Sequence, residues 1–588
     1  MKNNNFILGI HYGHDATAVL LENGVVLEAM SEERLSRQKK HAGFPHLAIE
    51  YIKTKYSIGE FKHVCVVGEH LDQGGVIFLN KKDNQKNRDS GKRINHYIRS
   101  LGYKFELLGL LFRTRDYLFH KLKYNKKISK KVQSFLNTTF PDAHIEYIHH
   151  HDAHAWAIIP FLENHKKRLV FTLDGAGDDA SGSVSLYENG KMELLNRFSL
   201  ENSVGLLYSA VVDLLGMKRN EHEFKVMGLA PYAKISSGEK VYQKLKELIW
   251  FDSKDMTIRT KVHTNHATAY LIAYEYNLEH RFDSLAYGIQ KLTEEITKDL
   301  VIAYTKKYNV NDIAIGGGVF MNVKANQKIL ELPEVNSMVS VPSCGDESLA
   351  IGSAYYLHAK IHSTKDIKKV EDIYWGSEYS DEEIKRKIDN YQFTTQHTIT
   401  YFDKQSNPIE KKIAKLLSEN NVVGRFSGRA EWGARALGNR SILANPSSLG
   451  NVKLINEMIK NRDFWMPFAT SLRAESVDKY LKVKKKIDAP YMSITYDTKV
   501  IAYTEIIAAI HPYDRTSRPQ IVTKEMNSKY YSLITEFENI TGIGGVLNTS
   551  FNLHGEPNVE SPFDALRTFD LSGLPHIAIG SYLISKSR

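Results

Sequence analysis

The sequence predicts an α/β protein with at least two domains, in which the N-terminal half contains one strand-and-hairpin unit twice. At 588 residues the chain is too long for a single hydrophobic core, so two or three domains are expected. A charged stretch at residues 361–369 marks a change in composition and is the expected linker. Strand and helix patterns follow one another on both sides of this linker.

The repeated unit consists of a strand, a polar turn, a second strand, a hairpin turn and a third strand. In the first copy, short apolar strands are expected at residues 6–10, 16–21 and 25–30. Asn23-Gly24 predicts the hairpin turn, because Asn-Gly favours a two-residue hairpin loop. In the second copy, the acidic turn 174–179 precedes the hairpin turn at Asn189-Gly190. Two copies indicate a duplicated fold, and the actin-like ATPase fold has this organisation, with ATP held between hairpin turns.

A histidine pair stands directly before the second unit. His150 and His154 are four residues apart, which places both imidazoles on one face of a helix. Asp174 follows a buried strand, and Asp346 lies in a later acidic turn before another helix. Imidazoles and carboxylates in this arrangement predict a divalent-metal site. The alternative is a helix with exposed histidines near a loop aspartate.

Glycines follow a strand in the same half of the chain. Residues 312–315 are an expected strand that leads directly into Gly316, Gly317 and Gly318. Three glycines before a helix allow close approach of the backbone to a nucleotide. The alternative is an ordinary tight turn from strand to helix. Longer helices are expected at residues 203–215 and 286–304.

Beyond the linker, arginines are concentrated in a glycine-punctuated loop. A helix at residues 409–419 and a strand at 422–426 precede Arg429, Arg435 and Arg440. Arginines that are close together favour binding of phosphate or carboxylate groups. A second polar cluster follows at residues 511–518, and a strand at 546–552 ends in amides and hydroxyls. Ordinary surface loops are the alternative for each cluster taken alone.

Composition limits the broad class of protein. Hydrophobic residues make up 42% and charged residues 25% of the chain, as in ordinary soluble proteins. No apolar run is long enough for a membrane span, and the N-terminal apolar segment is too short for a signal peptide. Two cysteines predict neither a disulfide framework nor a cysteine zinc site, so a cytoplasmic location is expected.

The net charge of +10 comes largely from a basic insertion at residues 81–131. Such a region can attract nucleic acid, phosphorylated ligands or anionic membranes. A solvated, lysine-rich surface insertion is the preferred interpretation, so neither a nucleic-acid nor a membrane partner is expected. A homodimer is the default oligomeric state.

Taken together, the motifs resemble those of the O-carbamoyltransferases of the NodU, CmcH and TobZ type. The resemblance extends from about residue 7 to about residue 585. The motifs that carry it are GHDATA, SEERLSRQKKHAGFP, HHDAHA, LDGAGD, KVMGLAPY, GGGVFMN, SCGDE, RALGNRS and LNTSFNLHGEPNV.

The resemblance implies a TsaD-like domain of the actin-like (ASKHA) class at residues 1–365 and a YrdC-like α/β domain at residues 366–588. In the family, the YrdC-like domain uses ATP, with magnesium, to convert carbamoyl phosphate to carbamoyl adenylate and pyrophosphate. The N-terminal domain then transfers the carbamoyl group to a hydroxyl of a small molecule. Iron(II) is the metal that the resemblance implies.

The resemblance also assigns roles to residues of this chain. The metal ligands are His150, His154, Asp174 and Asp346. The general base is His14, since histidine accepts a proton near neutral pH. Binding of ATP or carbamoyl adenylate is assigned to Asp174, Gly205, Gly317, Gly318, Asn322 and Gly345. The carbamoyl phosphate ligands are Arg435, Arg440, Arg518 and Asn548. The residues that line the acceptor pocket are Tyr12 and His41.

This chain departs from the family pattern at several positions. Met466 stands where many members have an arginine before Pro-Phe-Ala, so Arg462 or Lys460 would have to supply that positive charge. Ala434 replaces a common proline, and Arg515 replaces a common glycine. These departures concern the carbamoyl phosphate pocket.

Two other function classes are open. Transfer in the tRNA threonylcarbamoyladenosine pathway would use the positive charge for RNA, although those activities usually sit on separate chains. A non-catalytic nucleotide-binding scaffold would not require His14, the metal residues and an arginine pocket together. A hydrogenase-maturation enzyme is disfavoured, because two cysteines cannot build its zinc fingers. The acceptor is not specified by fold or chemistry.

Overall fold

The structure is a computed structural model that describes residues 6–68, 125–163, 166–260, 280–364, 367–403, 408–485 and 490–587. The chain separates into two compact units. Unit 1 comprises Met1–Leu27 and His41–Lys369, and unit 2 comprises Glu28–Lys40 and Val370–Arg588. Most of the predicted basic insertion, residues 81–124, lies outside the described residues.

The described residues confirm the α/β class, since strands and helices alternate through both units. The strands of unit 1 and its border are Phe6–His11, Gly13–His14, Thr17–Glu22, Val25–Ser31, Ala42–Gly43, His63–Val67, His144–Ile148, Arg168–Gly177, Ala180–Glu188, Lys191–Ser199, Ile249–Asp252, Thr257–Thr260, Asp312–Gly316 and Ser337–Ser340. The strands of unit 2 are His397–Tyr401, Val423–Phe426, Arg440–Ala444, Ala469–Arg473, Gln520–Val522, Gly545–Ser550, His576–Ile579 and Tyr582–Lys586.

The helices include those expected at residues 203–215, 286–304 and 409–419. The α-helices up to residue 361 are Glu32–Ser36, His46–Lys55, Asn125–Thr139, His150–Trp156, Val204–Leu214, Glu223–Leu229, Ile235–Lys246, Phe282–Tyr308, Val323–Leu330 and Leu349–Ile361. Those that follow are Asp381–Asp389, Ile409–Ser418, Leu449–Ile455, Val477–Tyr480, Ala502–Glu505, Ser528–Thr541 and Pro562–Asp570. None of the described helices has the length and apolar character needed to cross a membrane.

The two large sheets of unit 1 have the same strand order. In each, the strand that begins the predicted unit occupies the middle, with the two hairpin strands on one side and two parallel strands on the other. Phe6–His11 is antiparallel to the next strand and parallel to His63–Val67. Arg168–Gly177 is likewise antiparallel to its hairpin partner and parallel to Asp312–Gly316. Both Asn-Gly turns have positive φ at both residues, as that turn requires.

Helix Leu349–Ile361 brings three elements of unit 1 together. A Cβ on Gly9 would collide with the carbonyl oxygen of Ala350, and a Cβ on Gly352 would collide with that of Ala153. Gly9 and Gly352 have no side chain at these contacts. The helix therefore packs directly on strand Phe6–His11 and on helix His150–Trp156. The ends of these elements therefore converge near the 3₁₀ turn Asp346–Ser348, which precedes the helix.

Unit 2 is built on one mixed sheet of eight strands. Its order is His397–Tyr401, Tyr582–Lys586, His576–Ile579, Val423–Phe426, Arg440–Ala444, Gly545–Ser550, Ala469–Arg473 and Gln520–Val522. Its apolar core includes Phe426, Leu547, Phe551 and Ile577, all nearly inaccessible to solvent. Strand Gly545–Ser550 has a neighbour on each side, so its polar end is fixed in the interior of this sheet.

The segment Glu28–Lys40 belongs to unit 2, although the sequence predicted one continuous N-terminal domain. Arg34 donates to the carboxylate of Glu560 at 3.4 Å. Arg37 donates to the carbonyl oxygens of Pro557 and Asn558 at 2.8 and 2.7 Å. These long-range arginine contacts explain the difference, because composition alone does not reveal them.

Candidate functional site

Two histidines and two aspartates converge in unit 1. One donor atom from each of His150, His154, Asp174 and Asp346 lies within 4.8 Å of the others. Oδ2 of Asp174 is 3.1 Å from Nε2 of His154 and 3.5 Å from Nε2 of His150. Oδ1 of Asp346 is 3.6 and 3.7 Å from the same two nitrogens. This set, the His–Asp cluster, combines residues from three separate elements.

Neighbouring groups orient the members of the His–Asp cluster. Nδ1 of His154 is 3.2 Å from the hydroxyl of Ser348, which leaves Nε2 facing the two aspartates. The backbone N–H of His150 donates to Asp178 at 2.7 Å. His149 and His151 are directed elsewhere, toward Asp179 and toward Thr172 and Ala180. The hydroxyl of Ser348 had no distinguishing signal in the sequence.

The electrostatics of the His–Asp cluster favour charged carboxylates. Burial would raise the pKa of Asp174, but hydrogen bonds from His150 and His154 hold it well below its ordinary value. Burial would also raise the pKa of Asp346, but the nearby His14 and His150 lower it below its ordinary value. Two imidazoles with two charged carboxylates are a donor set that fits iron(II), manganese or zinc. The residues present therefore fit a divalent metal, without selecting one.

His14 lies against the same cluster. Its Nε2 is 3.2 Å from Oδ2 of Asp346, and its Nδ1 is 3.1 Å from Oδ2 of the buried Asp15. The side chain of His14 is 44% exposed, so one edge of the ring remains open to solvent. A carboxylate on Nδ1 fixes the orientation of an imidazole ring. Asp15 was not predicted as a site residue, although it follows His14 directly in the sequence.

The residues expected to line an acceptor pocket lie close to His14 in the fold. Strand Gly13–His14 pairs with Ala42–Gly43, with His14 opposite Ala42, so the backbone of His41 is beside this turn. The carbonyl of His41 accepts a hydrogen bond from the N–H of Ala16 at 3.2 Å. Tyr12 is buried. The structure thus places His41 nearer to an accessible surface than Tyr12.

His11 is a further residue of this region that sequence reasoning missed. Its Nε2 is 3.0 Å from the carbonyl oxygen of His14 and 3.7 Å from Oδ2 of Asp346. Burial, opposed by the nearby Asp346, lowers the pKa of His11 to about 4. The only signal in the sequence was its position at the end of the first strand. A histidine at such a position can equally be a core residue or a site residue.

Unit 2 contains a cluster of positive charges formed by Arg435, Lys460, Arg462 and Arg518, the basic cluster. Burial and then Arg435 and Arg462 hold the pKa of Arg518 well below its ordinary value. Burial and then Arg435 lower the pKa of Arg462 to about 10. Burial, Arg462 and Lys39 depress the pKa of Lys460 strongly. Burial is the main cause of these depressed pKa values, and repulsion between neighbouring cations adds to it; a bound anion would relieve that repulsion.

Polar residues at the end of strand Gly545–Ser550 hold the basic cluster. Nζ of Lys460 donates to the hydroxyl of Ser550 at 3.1 Å and to Oδ1 of Asn552 at 2.7 Å. Arg462 donates to the hydroxyl of Thr549 at 2.8 Å. The amide N–H groups of Asn548 are bonded, but its buried Oδ1 has no partner among the described residues. A buried acceptor therefore remains on the strand that also carries Thr549 and Ser550.

Comparison with known proteins identifies the family. The model described as "Carbamoyltransferase N-terminus" matches residues 6–355, and that described as "Carbamoyltransferase C-terminus" matches residues 414–586. This chain belongs to the carbamoyltransferase family. The family that the motifs resembled is thereby confirmed, and the chain is an enzyme.

Relatives of this carbamoyltransferase match over different lengths. Uncharacterized protein MJ1051 of Methanocaldococcus jannaschii is 30% identical and aligns over 99% of this chain and 100% of its own. Nodulation protein NolNO of Sinorhizobium fredii is 26% identical over 97% of this chain and 79% of its own. A 3'-hydroxymethylcephem-O-carbamoyltransferase of Amycolatopsis lactamdurans is 28% identical over 45% of this chain and 47% of its own.

Two of the glycines predicted to bind a nucleotide in this carbamoyltransferase, Gly205 and Gly318, lie directly against Asp174, and Gly317 lies against the neighbouring Leu173. A Cβ on Gly205 would lie 2.7 Å from the carbonyl oxygen of Asp174, and one on Gly318 would lie 2.8 Å from its Oδ1. Gly317 has φ of 92°, which a side chain would strain. Gly345 packs against Glu347 instead. These glycines permit a close approach of the protein backbone to Asp174.

The side chain of Asn322, also predicted to bind a nucleotide, is engaged within the carbamoyltransferase itself. Its Oδ1 accepts from the N–H of Ala325 at 3.1 Å and so caps a helix. Asn322 and Gln290 also exchange two amide hydrogen bonds, at 2.8 and 3.0 Å. In this structure Asn322 therefore joins two helices, and a nucleotide would have to replace these contacts.

The side chain of Arg440, predicted to bind carbamoyl phosphate, is engaged within unit 2 itself. Its side chain is 0% exposed and its guanidinium donates to four main-chain carbonyl oxygens, each at 3.1 Å, namely those of Ser377, Ser427, Gly428 and Asn439. It also lies 3.6 Å from the ring centre of Phe426. In this structure Arg440 lies on a fully buried strand and stabilises the fold, and its binding of carbamoyl phosphate stays a prediction. Arg462 and Lys460, named as substitutes for the arginine missing at Met466, occupy the basic cluster.

Proposed function

We propose that this carbamoyltransferase uses ATP and carbamoyl phosphate to transfer a carbamoyl group to a hydroxyl of a small molecule. The observation that carries the proposal is the presence of both required clusters on one chain. Unit 2 holds the basic cluster, and unit 1 holds the His–Asp cluster next to His14. The O-carbamoyltransferase name of one relative supports the same chemistry.

Activation is proposed to occur at the basic cluster. Water releases phosphate from carbamoyl phosphate, and an oxygen of the resulting carbamate attacks the α-phosphorus of ATP, so that pyrophosphate leaves and carbamoyl adenylate forms. Arg435, Arg462 and Arg518 would bind the phosphate oxygens, because guanidinium groups match their geometry. The unpartnered Oδ1 of Asn548 can accept an N–H of the carbamoyl group.

Transfer is proposed to occur beside the His–Asp cluster. Asp15 holds the His14 ring through Nδ1. Nε2, which lies 3.2 Å from Asp346, can take the proton of the acceptor hydroxyl once that carboxylate serves the metal instead. The hydroxyl oxygen then attacks the carbamoyl carbon, and AMP leaves with the bonding electrons. His150, His154, Asp174 and Asp346 would hold a divalent metal, which supplies a positive charge that stabilises the developing oxyanion. Iron(II), implied by the resemblance, is the first metal to test.

The proposal is tested by pyrophosphate release. Purified protein is incubated anaerobically with iron(II), magnesium and ATP, with and without carbamoyl phosphate, and hydroxyl compounds are then screened for carbamoylation by mass spectrometry. We expect release that depends on carbamoyl phosphate, followed by a carbamoylated product. Folded protein that releases pyrophosphate only with threonine and bicarbonate would overturn the proposal in favour of threonylcarbamoyl transfer. No release with either donor would also contradict it.

A further inference from the structure

The imidazole of His11 closes the turn that carries His14. Strand Phe6–His11 ends at His11, which pairs with Thr17 across the hairpin. The ring of His11 folds over the intervening turn, and its Nε2 lies 3.0 Å from the carbonyl oxygen of His14. Because a carbonyl oxygen only accepts hydrogen bonds, Nε2 must carry the proton in this contact. His11 thereby fixes the main chain of the residue proposed as the base.

Gly13 fits this arrangement because it lacks a side chain. A Cβ on Gly13 would lie 2.9 Å from Nε2 and 3.0 Å from Cε1 of His11. Gly13 is not among the described glycines with positive φ, so alanine would not strain its backbone. Apart from its chain neighbours, the His11 ring is the one described group that this Cβ would meet within 4 Å. The constraint at Gly13 is therefore contact with His11.

His11 also lies against the His–Asp cluster. Its Nε2 is 3.7 Å from Oδ2 of Asp346, the oxygen that is 3.2 Å from Nε2 of His14. The His11 ring meets the ring of His150 edge-on, with centres 6.4 Å apart. A small displacement of His11 would consequently change where His14 stands relative to Asp346.

We propose that His11 is a positioning residue for the transfer step, and that Gly13 is required because the His11 ring occupies the space next to it. This inference rests on the proposed function, because it assigns the base role to His14. His11 acts through the carbonyl of His14. Activation in unit 2 does not use this turn.

The test compares His11→Ala, His11→Gln, Gly13→Ala and the double variant His11→Ala/Gly13→Ala. His11→Ala should lower kcat for transfer by about 10- to 100-fold, because misplacing a reacting group by about 1 Å has effects of this size. Carbamoyl-dependent pyrophosphate release should not change. His11→Gln, whose Nε2 can occupy the position of the histidine Nε2, should restore most of the transfer rate.

Gly13→Ala supplies the independent arm. On the wild-type background it should reduce transfer by pushing the His11 ring away, whereas on the His11→Ala background it should have little further effect. Such non-additivity is expected for residues in direct contact and not for independent sites. Additive losses, no rescue by His11→Gln, or parallel loss of pyrophosphate release would each overturn the inference.

Two measurements separate this inference from the proposed function. Cobalt(II) affinity, followed by absorption spectroscopy, should be the same in His11→Ala and wild type; a large loss would show that His11 acts through Asp346 instead.

Wild-type protein without any transfer would overturn the proposed function. In that case the inference about His11 is tested by the rate at which diethyl pyrocarbonate modifies His14. We expect this rate to change in His11→Ala and Gly13→Ala but not in His11→Gln. An unchanged rate would overturn it.

Discussion

Oδ2 of Asp346 lies 3.2 Å from Nε2 of His14, while Oδ1 of the same carboxylate lies 3.6 Å from Nε2 of His154. One carboxylate thus contacts both the proposed base and the proposed metal ligands. Any change in the ligands can therefore alter the position of the base. A clean separation of roles requires substitutions on the side of the cluster away from His14.

Asp174 provides such a substitution. Asp174→Asn removes the negative charge of a carboxylate that contacts both cluster histidines, and it leaves the contact between Asp346 and His14 in place. We expect a loss of divalent-metal affinity of about 10-fold or more and loss of transfer, with carbamoyl-dependent pyrophosphate release retained. Equilibrium dialysis with cobalt(II) and a pyrophosphate assay measure the two effects.

His154→Ala should reproduce the Asp174→Asn result, because Nε2 of His154 contacts both aspartates. His144→Ala is the matched control, since the His144 side chain is 63% exposed and lies on strand His144–Ile148, outside the cluster. If folded His154→Ala also loses pyrophosphate release, activation and transfer do not occur at separate sites, and the division of roles proposed above fails.

Arg518 and Arg462 should affect the opposite step. Both are half-buried, and burial and neighbouring cations depress their pKa values, so their loss removes positive charge that an anionic ligand would neutralise. Arg518→Ala and Arg462→Met should stop carbamoyl-dependent pyrophosphate release while preformed carbamoyl adenylate is still used. Single-turnover assays with synthetic adenylate provide the measurement, and equal loss of both steps would contradict the assignment.

Arg440 should respond differently from Arg518. Arg440→Met removes a donor from four main-chain carbonyl oxygens. Those of Ser377 and Asn439 still accept from the N–H groups of Ala430 and Ser427, whereas those of Ser427 and Gly428 lose the guanidinium, and each buried unsatisfied acceptor costs about 1–3 kcal/mol. We therefore expect a pronounced drop in the unfolding temperature of unit 2, whatever remains of its activity. A variant that unfolds like wild type but no longer binds carbamoyl phosphate would return Arg440 to the binding pocket.

The contrast between Arg440 and Arg518 shows where sequence reasoning stops. Both are arginines in polar, glycine-rich motifs, and their local sequences do not distinguish a ligand contact from a fold contact. Only the register of strand Arg440–Ala444, whose residues are all buried, directs Arg440 into the protein. Burial of a charged side chain depends on distant partners such as Ser377, which no local pattern specifies.

The His–Asp cluster was more predictable. The four-residue spacing of His150 and His154 and the position of Asp174 at a strand end are local features with known geometry. His11 and Ser348 were not predictable, because each acts through a contact that only tertiary packing creates. Likewise, the assignment of Glu28–Lys40 to unit 2 depends on bonds from Arg34 and Arg37 to residues more than 500 positions away.

Lys460 gives a prediction about pH. Burial and neighbouring cations hold its pKa well below the ordinary value, so at pH 9 a larger fraction of it is neutral than of an exposed lysine. A bound dianion favours the charged form and raises the pKa of Lys460, so binding at this pH should be accompanied by uptake of up to about one proton. Sulfate is a suitable probe because it does not titrate in this range.

Isothermal titration of sulfate at pH 9 in two buffers with different ionisation enthalpies measures this proton uptake directly. The apparent binding enthalpies of wild type should differ between the buffers, and those of Lys460→Met should agree. Lys453→Met is the matched control, since the Lys453 side chain is 79% exposed and pairs with Glu457 on the surface. Sulfate binding by wild type without proton uptake would mean that Lys460 is already charged, held by Ser550 and Asn552, and that its burial does not determine its protonation.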